Sequence, residues 1–256
     1  MLVTISPAKS LDLSPVKVTP TTPQFESDAV RLARTMRGRT LTELRDLMGI
    51  SDDLARLNRD RFRAFSADPA SDAIKPAAWM FDGDTYQGLE ARTMEAEDIA
   101  FAQAHLCILS GLYGLLRPCD GIQPYRLEMG SRLKTRRGNS LYDYWGDRIA
   151  KALNAWAAEV GTDTLINCAS QEYFGAADRK ALRLRVITPQ FLEVKEGRPR
   201  VVSFFAKRAR GAMARFVMTE GLTEPEAIKD FDAGGYRHDA TRSQGDSWAF
   251  VRDYRA

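Results

Sequence analysis

The chain has 256 residues, of which 44% are hydrophobic, so it can form one large domain or two small ones around a real core. Its 37 basic and 34 acidic residues leave a formal net charge of only +3, which excludes a strong overall field and makes any attraction to a polyanion depend on local clusters. Three cysteines and two histidines without metal-ligand spacing argue against a disulfide framework and a dedicated metal site. Because there is no signal-peptide pattern and no apolar run of about eighteen residues, we expect a cytosolic protein without a membrane partner.

Short apolar runs alternate with helical patterns along the chain. The runs predicted as strands are 2–5, 106–109, 164–167, 184–187, 201–205 and 248–251. The predicted helices are 25–36, 97–105, 140–159 with Ser140 as the N-cap, and 206–219. This alternation favours a mixed α/β fold, in which a single compact domain over 1–256 has a mixed sheet covered by helices. The stretch 66–78, rich in Pro, Ala, Ser and Asp, is predicted as a surface loop.

Within 38–65, the segment "LRDLMGISDDLARLN" predicts two short helices joined by a turn. It resembles the helix-hairpin-helix of non-sequence-specific DNA-binding proteins, in which the turn, here Gly49 and Ser51, meets a phosphate. Ser51 replaces the second glycine of that motif, and Asp52 and Asp53 would repel phosphate. The arginines of the second helix could compensate. Two antiparallel helices with no binding role are an equally good interpretation.

Four apolar runs end in a small polar residue and pass into a loop or helix start that carries ionisable side chains. Those residues are Ser6, Ser110, Ser170 and Ser203. Because the carboxyl ends of neighbouring parallel strands meet at one edge of a sheet, we expect one shared crevice there. The candidate catalytic residues facing it are Lys9, Asp120, Glu128, Asn167 and Glu172. A tight structural loop at 110–130, whose charges pair with each other, is the alternative.

The segment "SFFAKRARGAMARF", 203–216, is the most basic part of the chain. On a helix, Lys207 and Arg210 share one side, and Arg208 and Arg215 lie on the adjoining strip. A second basic cluster contains Arg126, Arg132, Lys134, Arg136 and Arg137. Two separated clusters suit a groove that follows a nucleic-acid backbone, although a solvated helix face has the same composition.

The motifs "ISPAKSLD", "YQGL", "LSGLYGLLRPCDGIQPYRLEMG", "NCASQEYF", "VVSFFAKRARGAMARF" and "DFDAGGY" resemble the bacterial YaaA peroxide stress resistance family over nearly the whole chain. The resemblance implies a cytosolic protein that limits intracellular iron and oxidative DNA damage under hydrogen peroxide. It also implies a positively charged cleft, a helix-hairpin-helix and binding of duplex DNA. By motif position, Lys9, Arg117, Arg126, Lys207, Arg208 and Arg210 would fall on the cleft.

Three functional hypotheses follow. The first is a DNA-binding protein with little sequence preference, whose nucleic-acid contacts would be the six cleft residues together with Arg215, Gly49 and Ser51. The second is an enzyme that acts on a nucleobase, nucleotide or other anionic small molecule in the strand-end crevice. The third is a scaffold that binds a protein partner. We expect no cofactor and favour a monomer.

Overall fold

The computed structural model describes residues 1–254 and places a mixed β-sheet at the centre of the molecule. The strands are β1 Leu2–Ile5, β2 Ser10–Leu11, β3 Lys75–Pro76, β4 Phe81–Asp82, β5 Leu106–Ser110, β6 Gly114–Leu116, β7 Gly121–Ile122, β8 Thr164–Cys168, β9 Arg185–Lys195, β10 Arg198–Arg200, β11 Arg237–Gln244 and β12 Ser247–Asp253. The α-helices are α1 Glu26–Arg37, α2 Leu41–Met48, α3 Asp52–Ala64, α4 Ala77–Met80, α5 Asp84–Leu89, α6 Ala96–His105, α7 Leu141–Trp145, α8 Arg148–Glu159, α9 Gln171–Phe174 and α10 Ser203–Thr219.

The main sheet has the strand order β11-β12-β9-β8-β1-β5-β6, with β10 paired to β9. Strands β12, β9, β8, β1 and β5 run parallel to one another, whereas β11 and β6 are antiparallel edge strands. Ile5 at the end of β1 is in register with Cys168 and Ile108 on the two flanking strands. Every residue of β1, β5 and β8 is buried, as expected for parallel strands covered on both faces.

The predicted single compact mixed α/β domain is confirmed, and two of the predicted elements need correction. The predicted strand at 201–205 is wrong, because α10 begins at Ser203 and continues unbroken to Thr219. The predicted helix 140–159 is divided into α7 and α8. Ser140 does cap α7, since its side chain accepts from the Asp143 amide, but the chain leaves the helix at Gly146 with φ 50°. In the predicted surface loop 66–78, residues 75–78 are buried.

Helices α5 and α10 cross at very short range because each contributes a glycine to the contact. A Cβ on Gly211 would overlap the carbonyl oxygen of Thr85, and one on Gly88 would overlap the carbonyl oxygen of Arg208. The helix α10 also packs against β1, β8 and β9. The crossing therefore fixes the height of the basic helix above the sheet.

The three cysteines, Cys107, Cys119 and Cys168, are free thiols and all are buried. Burial raises the pKa of each, to about 12 for Cys168. Within residues 1–254, no helix combines the length and the apolar character needed to cross a bilayer.

Candidate functional site at the carboxyl edge of the sheet

Three of the four predicted strand ends converge. The Ser170 amide donates a 2.8 Å hydrogen bond to Ser6 Oγ, which joins the ends of β8 and β1. The Tyr86 hydroxyl donates to the Ser6 carbonyl oxygen at 3.2 Å, and Ser110 at the end of β5 shares a 2.6 Å hydrogen bond with the Tyr125 hydroxyl. Ser203 is the exception, because it opens α10 after the antiparallel strand β10 and does not follow a parallel strand.

Glu128 is the ionic centre of this edge. Its Oε1 lies 3.5 Å from Lys9 Nζ and accepts from Arg126 Nε at 3.0 Å. The Glu128 and Arg126 side chains are only 13% and 14% exposed. Glu128 Oε2 is buried and has no hydrogen-bond partner among the described residues. Since an unpaired buried carboxylate oxygen is costly, this atom marks a place where an external donor would be stabilised.

Three buried tyrosines, Tyr86, Tyr125 and Tyr173, are neighbours, and Tyr125 and Tyr173 are also close to Glu128. Burial raises the pKa of all three phenols well above the ordinary value. Each ring therefore keeps its proton at neutral pH and can only act as a neutral hydrogen-bonding group.

Arg210 supplies an uncompensated cation next to this edge. It is half-buried near Cys168 at the end of β8, and burial lowers its pKa. Within residues 1–254, no carboxylate lies within 4.0 Å of its guanidinium. Because the Cys168 thiol is protonated, it cannot serve as the counter-charge, so Arg210 is suited to receive an anion.

Asn167 and Glu172 make hydrogen bonds that shape the edge. Asn167 Oδ1 accepts from the Ala169 amide at 3.0 Å and so sets the direction of the chain after β8. Glu172 Oε1 accepts from the Gly130 amide at 2.9 Å, which ties the Glu128 loop to α9. The residues of this strand-edge site are Ser6, Lys9, Tyr86, Tyr125, Arg126, Glu128, Asn167, Ser170, Glu172, Tyr173 and Arg210.

Arg117 and Asp120 do not lie in the strand-edge site. Strand β6 runs antiparallel to β5, so the chain returns toward the amino end of the parallel strands before it reaches them. Arg117 stacks over the Trp156 ring and pairs with Glu159 at 3.2 Å. Asp120 accepts from the Arg117 amide and from Thr21 Oγ1, and its pKa is raised by burial. The predicted grouping of these two residues with Glu128 is therefore corrected.

The cations of α10 face different surroundings. Lys207 and Arg208 are exposed, and no described carboxylate lies within 4.0 Å of either. Arg215 donates to the carbonyl oxygens of Leu89 and Glu90 at 3.2 and 3.0 Å. The Arg215 side chain is thus bound to the end of α5, whereas Lys207 and Arg208 remain available to an external anion.

A second group of free cations lies on the loop after Gly130. Arg132, Lys134 and Arg136 are exposed, and no carboxylate of the described chain lies within 4.0 Å of them. Arg137 differs, because it pairs with Asp28 at 3.0 Å. We call Arg132, Lys134 and Arg136 the basic loop. It starts two residues after the Gly130 contact with Glu172, so it borders the strand-edge site.

The segment with the helix-hairpin-helix pattern forms two helices, α2 and α3, and a short turn; we call this the helical hairpin. Gly49 has the left-handed φ of 59° and ends α2, and the Ser51 side chain accepts from the Leu54 amide at 3.4 Å. The exposed Asp52 pairs with Arg45, and Asp53 pairs with Arg56. The geometry is that of a helical pair, and its DNA-binding role stays a prediction.

Sequence reasoning did not identify Tyr173 as part of the site, nor the glycine crossing that places α10. The signal for the crossing was present in the sequence. Glycine inside a helix costs about 1 kcal/mol relative to alanine, so Gly88 in "YQGL" and Gly211 in "RARGAM" needed a packing reason. Nothing comparable singled out Tyr173, whose ring is brought to Glu128 only by the tertiary fold.

The fold and this edge define an α/β protein with a charged, tyrosine-lined site where its parallel strands end. The chain belongs to the family described as peroxide stress protein YaaA, whose family model matches residues 1–242. This membership supports a role in peroxide stress.

Similar proteins share the full length of the chain. A UPF0246 protein of Ruegeria pomeroyi is 62% identical over 255 residues, which cover 100% of both chains. A UPF0246 protein of Roseobacter denitrificans is also 62% identical, over 258 residues and 100% of both chains. One from Phenylobacterium zucineum is 50% identical over 254 residues, covering 98% of this chain and 95% of its own.

Proposed function

We propose that this peroxide-stress protein binds duplex DNA with little sequence preference and thereby limits oxidative DNA damage. The observation that carries the proposal is the pair of free cationic groups, the basic loop and Lys207 with Arg208, which have no carboxylate within 4.0 Å in residues 1–254. Cations without protein partners are the groups that can neutralise phosphates and release counterions.

The two cationic groups lie on segments that also contribute to the strand-edge site. The basic loop is anchored through Gly130 to Glu172. On the other segment, Arg210 of α10 lies near Cys168, which precedes Glu172 by four residues. Lys9 and Arg126 lie between them but share the charge of Glu128, so we assign them a smaller part. The helical hairpin is a proposed outer contact, because its turn is accessible while its aspartates neutralise nearby arginines.

The test is a salt titration of duplex binding, followed by fluorescence anisotropy. If about six phosphates are contacted, affinity should fall on the order of a thousandfold between about 50 and 200 mM salt. The triple variant Arg132→Gln, Lys134→Gln, Arg136→Gln should reduce the slope of log affinity against log salt by about 3. The matched control replaces Arg45, Arg56 and Arg59, which pair with local aspartates. Equal effects of the two triple variants, or a nearly flat titration, would disprove the proposal.

The proposal extends to intracellular free iron, because iron and hydrogen peroxide together generate the species that damage DNA. It is tested in cells by comparing free iron in strains that carry the wild type, the basic-loop variant and the matched control. An unchanged iron level in the basic-loop strain, together with lost DNA protection, would separate the iron effect from DNA binding.

A second candidate function is catalysis on a nucleobase, nucleotide or other anionic small molecule in the strand-edge site. It is favoured by the unpartnered Glu128 Oε2 and by the uncompensated Arg210. Glu128→Gln distinguishes the two functions. It should raise DNA affinity severalfold if Lys9 and Arg126 are thereby released toward phosphate. If the site is catalytic, it should instead abolish the thermal stabilisation produced by the bound small molecule, tested with nucleobases and inorganic phosphate.

A further inference from the structure

A groove of about 570 Å³ lies between α5, α10 and the last strand, and none of its lining residues belongs to the strand-edge site. Its floor contains Gly88, Ala209 and Ala212, and its walls are aromatic: Phe204, Phe205, Phe216 and Tyr236. Arg208, Arg215 and Arg252 also line it. We call it the aromatic groove. Its volume is within the range of small-molecule sites, roughly 300–1,000 Å³.

One wall of the aromatic groove is fixed in place by a buried carboxylate. Arg252 Nε donates to both oxygens of Glu193, at 2.8 and 2.9 Å, and its Nη1 donates to the Gly234 carbonyl at 2.9 Å. The guanidinium carbon lies 4.6 Å from the Phe205 ring centre and 4.5 Å from that of Tyr236. This wall is therefore formed before any ligand arrives, which lowers the cost of ordering on binding.

The opposite wall is fixed by Arg215, which donates to the Glu90 carbonyl and stabilises the left-handed φ of 50° at that residue. Arg208 is the exposed guanidinium of the groove and has no described carboxylate within 4.0 Å. Phe204 is 50% exposed, an unusual state for a phenylalanine. A free guanidinium beside an exposed ring and a preformed aromatic wall suits a ligand with a flat π-system and an anionic group.

We propose that the aromatic groove binds a nucleotide, with the base stacked on Phe204 and the phosphate paired with Arg208. Gln87 and Glu90 line the same groove and offer an amide and a carboxylate to a base edge. The nucleotide can be free or can be extruded from DNA. Only the DNA source rests on the proposed function, since Lys207 and Arg208 would hold the strand from which the base comes.

The free-nucleotide arm is isothermal titration with AMP, GMP and inorganic phosphate. We expect the nucleotides to bind, and Phe204→Ala and Arg208→Gln each to weaken binding about tenfold. The control is Val201→Ala, because Val201 is a similarly exposed apolar side chain, at 57%, and does not line the groove. Nucleotide binding that Arg210→Gln weakens and Arg208→Gln leaves intact would place the nucleotide in the strand-edge site and overturn this assignment.

The DNA arm uses a duplex with 2-aminopurine opposite an abasic site. Wild-type protein should change the 2-aminopurine fluorescence, and Phe204→Ala should remove most of that change while anisotropy shows duplex affinity within about threefold. If the wild type binds no duplex, the proposed DNA binding is wrong, and the free-nucleotide arm alone tests whether the aromatic groove binds a nucleotide. Absence of nucleotide binding in both arms, or binding that Phe204→Ala and Arg208→Gln leave intact, would overturn the assignment.

Discussion

The helical hairpin and α10 are both rich in arginine, but their charges are not equally available. In the hairpin, three of the five arginines, Arg45, Arg56 and Arg59, lie within 3.4 Å of an aspartate on the same or the adjoining helix, and only Arg61 and Arg63 have no described carboxylate within 4.0 Å. On α10, Lys207 and Arg208 have no such neighbour in the described chain. The density of basic residues in a sequence therefore does not measure the charge that a polyanion would encounter.

The two regions also differ in what holds them. The two ends of α2 in the hairpin are set by local features, namely the reciprocal hydrogen bonds of Thr40 and Glu43 at its start and the left-handed Gly49 at its end. The basic helix α10 is held by a backbone contact with α5 that tolerates only glycine. Substitution of a charged or capping residue in the hairpin should accordingly have a small effect on stability. Substitution of Gly211, the residue of α10 at the contact with α5, should have a large one.

The largest expected effect is that of Gly211→Ala. The new methyl group would overlap the Thr85 carbonyl oxygen and lie 2.9 Å from the Leu89 amide, so α5 and α10 must separate. We expect a loss of about 3 kcal/mol in the free energy of unfolding, measured with urea. Gly38→Ala is the control, because its φ is −75° and its nearest contact would be an ordinary 3.6 Å. Equal stability of the two variants would refute a sterically required crossing.

The second effect concerns the free cations of α10. The double variant Lys207→Gln, Arg208→Gln should weaken duplex binding about tenfold near physiological salt and reduce the salt slope by about 2. Arg45→Gln with Arg56→Gln removes the same charge from the hairpin and should change affinity less than threefold. Anisotropy titrations at several salt concentrations measure both. A larger loss from the hairpin pair would reverse the comparison.

A smaller effect tests whether the hairpin contacts DNA at all. Asp52→Asn with Asp53→Asn releases Arg45 and Arg56 and removes repulsion at the turn, so duplex affinity should rise about two- to threefold. Glu226→Gln with Asp246→Asn is the matched control, because both carboxylates pair with basic residues elsewhere. A similar rise in both variants would mean that only net charge matters and that the hairpin makes no contact.

The smallest effect is a pH dependence confined to the hairpin. Hydrogen bonds from the Thr40 backbone and side chain, with Arg39, lower the pKa of Glu43. Because the pKa of Glu43 is lower in the folded protein, its carboxylate stabilises the fold fully at pH values above its pKa in the unfolded chain, near 4.3. This contribution is lost as the pH falls through the pKa of Glu43 in the folded protein. At pH 7 the melting temperature of the wild type should therefore be slightly higher than that of Glu43→Gln, and the two melting temperatures should become equal near pH 3. A constant difference across that range would contradict this assignment.

The sequence predicted the three converging strand ends because a serine follows each apolar run within three residues, a local signal that needs no knowledge of the fold. It misplaced Arg117 and Asp120 because the return of β6 along β5 is a tertiary fact, although both residues occur in the same motif as Glu128. The strand prediction at 201–205 failed for a local reason. Two valines and two phenylalanines suit a strand, but the residues from Ser203 onward continue a helical pattern that α10 uses in full.

The buried thiols have a consequence for a protein of the peroxide-stress family. Hydrogen peroxide oxidises the thiolate form of cysteine, and burial keeps Cys107, Cys119 and Cys168 protonated and out of contact with solvent. None of these three thiols is therefore suited to react with hydrogen peroxide as a sensor cysteine does. The three cysteines of the chain therefore do not offer the accessible thiolate that a redox sensor converts into its sulfenic form.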